Sequence, residues 1–285
     1  MTVGRPALAV VVVVCLLLAG CGSVSEGGGP GAAGGPTATV TPAPLPTETP
    51  AERTATPPPG QSVPVAALAD VPAEHGAVLS NRSFTAIERQ VVVDGGGAVY
   101  DVTATLRVDG ARYRYDRTRI ADPSYPGPQG IDTLSLYHWD DRTAFRDEDD
   151  GGVRFGVVDG AFRFGPGADR TGETLLADLL PAFGNWTATS VDGGRLLRGS
   201  DLVDPAALDT DRRLGSTGEA SVRLRVSASG RVSWLRLEYD ATLNGRVVTV
   251  RVERRYTEVG STAVGEPPWL DEALGTESAR AVVRP

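Results

Sequence analysis

The sequence contains no lysine, only two histidines, two cysteines and one methionine, and these shortages disfavour several classes of protein. Its 28 basic residues are all arginines, and 36 acidic residues bring the net charge to −8. Two histidines and two cysteines are too few for the common zinc, copper and haem sites. Arginines and acids are mixed along the chain without a basic block, unlike the pattern of a nucleic-acid-binding protein. We therefore expect no enzyme activity, no metal, no cofactor and no nucleic-acid partner.

Residues 1–20 have the pattern of a signal peptide. Arg5 precedes an apolar run over 7–18, and the small residues Ala19 and Gly20 follow that run. A run of about 12 residues, each rising 1.5 Å, is too short to cross a hydrocarbon core of about 30 Å. No pair of arginines precedes the run, so we expect export by the general secretion route.

The end of this segment, Leu18-Ala19-Gly20-Cys21, resembles the prokaryotic lipoprotein box. In that box, small residues let a processing enzyme reach the bond before a cysteine that carries lipid. The resemblance implies that Cys21 is the first mature residue and that its lipid anchors the protein to the outer face of the cell membrane. The alternative is ordinary cleavage near Ala19, with Cys21 unmodified. Cys15 lies in the removed segment, so the mature chain can form no internal disulfide.

Residues 21–62 are rich in residue types that do not build a core. Between Gly22 and Ser62 lie nine prolines, eight glycines and seven threonines. This composition offers too little apolar surface to offset the entropy of ordering, so we expect a disordered stalk that lifts a domain off the membrane. Threonines beside prolines are typical of an O-glycosylated stem, and an unmodified spacer is the alternative.

Strict alternation of apolar and polar residues dominates the domain predicted for 63–271, and it indicates strands with one buried and one solvated face. The clearest segments are Ala98–Val108, Glu219–Ser227 and Arg246–Tyr256. In Arg231–Ala241 the alternation slips between Trp234 and Leu235, where a bulge would keep the buried face continuous. Asp109-Gly110 and Asn244-Gly245 suit the positive φ angles of type I′ hairpin turns.

Helical patterns interrupt the strands, and they lead to a prediction for the fold as a whole. The helical segments are Asp70–Leu79, Thr171–Phe183 and a short one opened by Asp204-Pro205. We expect roughly nine to eleven antiparallel strands and a mainly β (α+β) fold. The predicted architecture is a curled antiparallel sheet or an incomplete β-barrel wrapped around one or two helices. Residues 272–285 are predicted to form a flexible C-terminal tail.

The order of elements carries a family resemblance. A short N-terminal helix leads into Ser83-Phe84-Thr85, a long meander and an amphipathic helix follow, and two strands close the domain. This order resembles the LolA-type lipoprotein carriers and their mycobacterial relatives, which hold lipids. The closing motifs Tyr256-Thr257-Glu258-Val259-Gly260 and Pro267-Pro268-Trp269 are similar to the end of uncharacterised lipoproteins of salt-loving archaea, and the absence of lysine agrees with that origin.

The resemblance implies an incomplete barrel around a helix, with an apolar cavity for acyl chains and no catalytic residues. One feature departs from the family, because the bacterial carriers are soluble shuttles whereas Cys21 predicts a tether. If the sheet curls around the helix at Thr171–Phe183, inward side chains line a trough. The candidate cavity residues are Leu106, Val222, Leu224, Val248, Val250 and Trp234.

The leading hypothesis is a membrane-anchored extracytoplasmic lipoprotein that binds a lipid or other apolar ligand in a half-barrel cavity. The alternative is a non-enzymatic structural or protein-interaction module of the cell envelope with a filled core. The volume of the cavity distinguishes the two, because native packing leaves few voids larger than a water molecule.

Several polar groups are interpreted as structural and not as parts of a site. Asp147–Asp150 lacks the alternate spacing of a calcium loop, so we interpret it as a solvated charge run. His138, in an apolar strand, and His75, in the first helix, are interpreted as satisfied structural histidines. Asn81 and Asn185 each begin an Asn-x-Ser/Thr sequence and are candidate N-glycosylation sites.

Overall fold

The computed structural model describes residues 60–121, 132–162, 166, 169–208 and 218–282, with side chains described as far as Thr276. The predictions for the signal peptide, for lipid on Cys21 and for most of the stalk lie outside these residues. The strands are β1 Gln61–Val63, β2 Phe84–Asp94, β3 Gly97–Asp109, β4 Arg112–Ala121, β5 Thr133–Trp139, β6 Arg142–Asp149, β7 Gly152–Asp159, β8 Phe183–Val191, β9 Gly194–Leu202, β10 Ala220–Ser227, β11 Val232–Leu243 and β12 Arg246–Thr257. The helices are α1 Val71–Ser80, α2 Glu173–Leu179 and α3 Leu270–Val282, with 3₁₀ helices at Val65–Leu68 and Pro205–Leu208.

All twelve strands belong to one sheet, in the order β1-β8-β9-β10-β11-β12-β2-β3-β4-β5-β6-β7. Every neighbouring pair is antiparallel. β1 and β7 lie at opposite edges and do not pair in the described part of the chain, so the sheet is open. The mainly β fold with an open antiparallel sheet is confirmed, with one strand more than the upper end of the expected range.

The predicted alternating segments form β3, β10, β11 and β12, each within two residues of the expected ends. Asn244 and Gly245 have φ angles of 50° and 78°, as a type I′ turn requires. The β3–β4 turn differs from the prediction, because φ is positive at Gly110 but not at Asp109. Gly110 and Ala111 are therefore its two loop residues, between the paired residues at the strand ends.

A bulge in β11 accounts for the slip in alternation. Val226 pairs with Val232 and Arg225 pairs with Trp234, so Ser233 is the extra residue on β11. The bulge lies one residue earlier than the sequence indicates. It returns Val232 and Leu235 to the same buried face, as expected of an inserted residue in a strand of period two.

The helices agree with the prediction in place but not always in length. α1 begins at Val71 after Asp70, with a proline in its first turn, as expected. α2 is shorter than the predicted Thr171–Phe183, because Gly172 has a left-handed φ of 84° and β8 already begins at Phe183. The short helix after Asp204 is a 3₁₀ helix.

The C-terminal region differs from the predicted flexible tail of 272–285. α3 covers Leu270–Val282, and residues 283–285 lie outside the described part of the chain. Trp269 and Ala273 pack with Tyr137 and Ala144 in one buried cluster. Trp269 directly precedes α3, and its carbonyl oxygen accepts a hydrogen bond from the Ala273 N–H at 3.3 Å. The burial of both side chains explains why this segment is held against the domain.

The two faces of the sheet are covered by different helices. The inner face, which carries Leu106, Leu224 and Val250, packs against α1, α2 and both 3₁₀ helices over β8–β12. The outer face, which carries Trp234, packs against α3 over β5–β7. No described helix lies on the outer face of β9–β12, where the arginine side chains of β10, β11 and β12 are exposed.

Candidate ligand-binding site

Four of the six candidate cavity residues lie in a filled part of the core. These four are Val222, Leu224, Val248 and Val250, which are at most 3% exposed. They share one cluster with Leu68 of the first 3₁₀ helix and with Leu176 and Leu179 at α2. Because these short helices occupy the inner face of β8–β12, the predicted trough is filled at this place.

The other two candidates lie elsewhere. Leu106 belongs to a second cluster, with Leu79 of α1 and Tyr256 of β12. Trp234 points to the outer face and lines an open groove of about 780 Å³. The structure therefore brings together four of the predicted residues, and it separates Leu106 and Trp234 from them.

One row of residues across the inner face becomes charged between β11 and β12. Residues that pair directly across neighbouring strands form one row along this face. From β8 to β11 the row consists of Ala188, Leu197, Leu224 and Leu235. It continues from β12 to β7 with Arg254, Glu88, Ala104, Arg117, Leu134, Asp147 and Arg154.

A cavity of about 250 Å³ lies where this row changes character. We call it the alanine cavity; it is lined by Ala86, Glu88, Ala104, Leu106, Tyr115, Pro166, Asp169 and Arg254. Ala86 pairs with Leu106, and Glu88 pairs with Ala104, so each pair joins a small residue to a large one. The two alanines form the floor of the cavity, and their small side chains leave the space above them empty.

Arg254 supplies a largely buried positive charge at the wall of the cavity. Its side chain is 13% exposed, and its Nη1 lies 3.5 Å from Glu88 Oε2. Its guanidinium carbon lies 5.2 Å from the centre of the Tyr256 ring. Its Nε is buried and has no hydrogen-bond partner among the described residues. A buried N–H without a partner costs about 1–3 kcal/mol, so this nitrogen makes the burial of Arg254 at the wall less favourable.

The Thr171 carbonyl oxygen ties three elements together beside this wall. It accepts hydrogen bonds from the Tyr256 hydroxyl at 2.7 Å and from His75 Nε2 at 2.9 Å, while His75 Nδ1 accepts one from the Val232 backbone N–H at 3.1 Å. Burial lowers the pKa of His75 to about 4, so the ring is neutral with its proton on Nε2. Burial raises the pKa of Tyr256 to about 12.

Asp169 and Gly172 position α2 against the cavity. The Asp169 carboxylate accepts hydrogen bonds from the backbone N–H of Gly172 at 2.9 Å and of Leu175 at 3.1 Å. A Cβ atom at Gly172 would lie 2.3 Å from the Tyr256 hydroxyl oxygen, and the φ angle there is 84°. Only glycine meets both conditions without strain.

The remaining singled-out polar residues lie apart from the cavity. Asn81 follows α1 and Asn185 lies on β8; both are exposed. His138 Nδ1 lies 2.9 Å from Thr143 Oγ1, and burial lowers the pKa of the ring. The solvated charge run is wrong at Asp147, whose buried carboxylate accepts a 2.8 Å hydrogen bond from Arg154 Nε. The reason is that Asp147 takes an inward position on β6.

Sequence reasoning named one cavity residue as a candidate, Leu106, and missed the charged wall. The sequence contained one signal for this wall, which is a charged residue in a series of inward apolar residues. Val248, Val250 and Val252 alternate toward the inner face of β12, and the next inward residue is Arg254. A charge in an inward position of a long strand indicates an ion pair or a polar site, and the contact of Arg254 with Glu88 on β2 is such an ion pair.

The described residues offer neither a metal centre nor a membrane-spanning helix. No group of three histidine, cysteine, aspartate or glutamate side chains there is arranged to hold a metal ion. None of the helices within the described ranges has the length and hydrophobicity needed to span a bilayer.

These features define a mainly β protein with an open antiparallel sheet and a small amphipathic cavity. No family model and no curated protein matches the chain. Among solved structures, a DUF1329 family protein from Desulfovibrio piger is 9% identical, over 72% of this chain and 96% of that chain, with a TM-score of 0.28. A structure from work on dehydratase substrate selection for the borrelidin and fluvirucin polyketide synthases is 12% identical, over 72% and 81% of the chains, with a TM-score of 0.13. Similarities at these scores carry no argument about family or function.

Proposed function

We propose that the protein is an extracytoplasmic lipoprotein, anchored to the membrane by lipid on Cys21, whose β-rich domain binds a lipid or other apolar ligand in the alanine cavity. The observation that supports ligand binding is the hollow of about 250 Å³ that opens beside a filled core. The ligand site thus moves from the predicted trough over α2 to the inner face of β2–β4 and β12. A sheet curled around α1 and α2, as in the LolA-type carriers, is part of this proposal.

The lining matches an amphiphilic ligand. Ala86, Ala104 and Leu106 offer an apolar floor. The charged residues Arg254 and Glu88 line the same cavity. Known ligand pockets have volumes of about 300–1,000 Å³, so this cavity suits a small molecule or one end of a longer chain. Each methylene that the floor buries contributes about 0.8 kcal/mol, which favours an acyl chain end over a polar metabolite.

One observation favours the alternative of a structural or protein-interaction module. Val222, Leu224, Val248 and Val250 pack at high burial, which is the filled core that the module predicts. The two proposals differ only in what they expect of the alanine cavity, because a module of this kind binds no ligand there.

Binding of a fluorescent fatty acid to the delipidated protein tests the proposal, with Ala104→Phe to fill the cavity. Ala104 is buried on the cavity floor, whereas Ala98 lies exposed on the same strand, so Ala98→Phe is the matched control. We expect Ala104→Phe to weaken the probe's affinity at least about tenfold because the ring occupies the space of several methylenes. Ala98→Phe should bind as the parent does.

Thermal unfolding of both variants is measured alongside, so that loss of binding is separated from loss of folding. A folded Ala104→Phe variant that binds the probe like the parent protein would place the ligand elsewhere. Failure of the parent protein itself to bind at tens of micromolar would favour the interaction module.

A further inference from the structure

The outer face of β9–β12 carries a group of arginines that the proposed function does not use. Arg198, Arg223 and Arg236 pair directly across β9, β10 and β11 and so form one row. The adjacent row contains Arg225, Trp234 and Arg255, on β10, β11 and β12. We call these six residues, together with Arg251, the arginine face.

The arginine face is electrostatically unfavourable in isolation. Like charges directly opposite on neighbouring strands have Cβ atoms about 5 Å apart and destabilise a sheet. Arg236 and Arg251 share Glu238, and Arg255 pairs with Glu253. Arg198 and Arg223 form no ion pair within the described part of the chain, and Arg198 Nε is buried without a hydrogen-bond partner there.

This local excess of positive charge contrasts with the charge of the whole chain. The net charge is −8, and acids surround most other arginines, as in the pairs Arg89–Asp101 and Arg114–Asp116. A patch of opposite sign on an acidic protein points to an anionic partner, because an anion removes the repulsion that the row otherwise retains.

Trp234 lies in the middle of the arginines, half-buried, and borders the groove of about 780 Å³. Val191 and Leu196 add apolar surface to the same groove, next to Arg225 and Arg255. Tryptophan and arginine side chains together suit a partner that has phosphate groups above an apolar layer. Guanidinium groups bind phosphates through paired hydrogen bonds, and tryptophan rings lie at the level of lipid headgroups.

The position of the N-terminal segment favours a membrane over a soluble anion. The chain enters the sheet at Gly60, where a Cβ atom would lie 3.0 Å from Thr187 and 3.1 Å from Thr189, two outward residues of β8. β8 is the neighbour of β9, so the predicted stalk joins the domain within about 10 Å of the arginine face. The predicted stalk of about 40 residues would tie this edge of the domain to an anchor at Cys21 and so keep it near the membrane.

We propose that the arginine face docks on the anionic headgroup surface of the membrane that carries the lipid anchor. Docking brings phosphates to Arg223, Arg225 and Arg236 and places Trp234 at the headgroup level. It makes no use of the alanine cavity, so it is independent of the ligand, but it rests on the proposed anchor at Cys21.

Sedimentation with phospholipid vesicles tests the docking. The chain from residue 21 onward carries Cys21→Ser, so that no lipid anchor contributes to binding. Vesicles of phosphatidylcholine alone are compared with vesicles that contain one third phosphatidylglycerol. The test variant is Arg223→Gln with Arg225→Gln and Arg236→Gln, and the control variant is Arg82→Gln with Arg112→Gln and Arg246→Gln, which changes the net charge equally at exposed sites elsewhere.

We expect binding to the anionic vesicles alone, and a loss of about tenfold or more in the partition coefficient of the test variant but not of the control. A spectroscopic arm locates the contact: brominated lipids should quench part of the tryptophan fluorescence, and Trp234→Phe should remove that part while binding persists. An Ala104→Phe variant should bind vesicles like the parent protein.

Equal binding of the test and control variants, or equal binding to both kinds of vesicle, would overturn the docking. Binding to a soluble anionic polysaccharide such as dextran sulfate without binding to anionic vesicles would assign the arginine face to a soluble polyanion instead. Unfolding curves of the two triple variants identify a folding defect; a folded test variant that partitions like the parent is decisive against the proposal.

Discussion

Single residues decide how α2 is held against the last strand. Asp169 satisfies two backbone N–H groups at the start of the helix, and the Thr171 carbonyl accepts hydrogen bonds from both His75 and Tyr256. These contacts join α1, α2 and β12 over short distances. Their replacement costs more than the average surface substitution because every partner is at least partly buried.

Gly172→Ala is expected to destabilise the domain more than Gly193→Ala does. Both glycines have positive φ angles, 84° and 73°, but only the Cβ at Gly172 meets the Tyr256 hydroxyl, whereas nothing lies within 4 Å of one at Gly193. Backbone strain alone costs about 1–2 kcal/mol at either position, and the clash adds about 1–3 kcal/mol at Gly172. Urea unfolding measures both free energies. Equal losses would mean that Tyr256 moves aside without cost.

His75 is expected to make stability depend on pH between about 6.5 and 4. Its folded pKa is lowered from 6.5 to about 4, so within this window the unfolded chain binds a proton that the folded protein does not. The contribution of His75 to the free energy of unfolding is fully present above pH 6.5. It decreases as the pH falls, by roughly 3 kcal/mol at pH 4. Since carboxylates also titrate there, the measurement is the difference in urea unfolding between the parent and His75→Gln. Parallel pH profiles would show that His75 is not the titrating group.

At the scale of elements, the short helices determine which face of each part of the sheet is covered by packed side chains. α1 and α2 fill the inner face of β8–β12, whereas α3 covers the outer face of β5–β7. The two halves of the sheet are thus covered on opposite sides. The alanine cavity lies on the inner face next to the filled half, and the arginine face lies on the outer side of that same half.

Trp269→Ala is expected to lower the free energy of unfolding by about 3 kcal/mol, as for other large-to-small changes in a core. Trp269 is 9% exposed and anchors α3 in its cluster. The matched control is Trp234→Ala, which removes the same side chain from a half-buried outer position and should cost about 1 kcal/mol or less. Chemical unfolding measures both. If Trp269→Ala costs no more than the control, α3 does not contribute to the stability of the domain.

At the scale of the whole molecule, the acidic domain is predicted to stay near a membrane through its N-terminal segment. The described residues all belong to one compact unit that runs from Thr56 to Pro285. The packed side chains of its described core come from the strands and short helices, so we expect the domain to fold without lipid or a disulfide.

Cys21→Ser is expected to move the protein from the membrane fraction toward the soluble fraction. Lipid chains on Cys21 supply stable anchoring, whereas the arginine face alone is weakened by salt, which shortens the range of its attraction to about 3 Å at 1 M. Fractionation in molar salt, with intact mass spectrometry of the parent chain, measures the effect. Recovery of Cys21→Ser in the membrane at parental levels, with the parent chain carrying no lipid mass, would contradict the predicted lipoprotein box.

Much of the fold could be predicted because alternation in a strand is a local property. β3, β10 and β12 lie close to their predicted ends, since one residue in two must face the core whatever the topology. The length of α2 and the presence of α3 could not be predicted equally well. A left-handed residue at Gly172 makes α2 begin later than its sequence pattern indicates. The burial of Trp269 against β5 and β6 stabilises α3, whose own sequence carries no continuous apolar stripe long enough to predict it.

The sequence by itself determined the mainly β class, the phase of the main strands and most of their turns. Only the tertiary structure decided that Val222, Leu224, Val248 and Val250 are filled core and that the hollow lies beside Leu106. The physical reason is that the alternation of apolar and polar residues shows which side chains face away from water. It does not show which other part of the chain packs over those side chains. The same applies to the arginine face, since Arg198, Arg223 and Arg236 are far apart in sequence and become neighbours only through strand register.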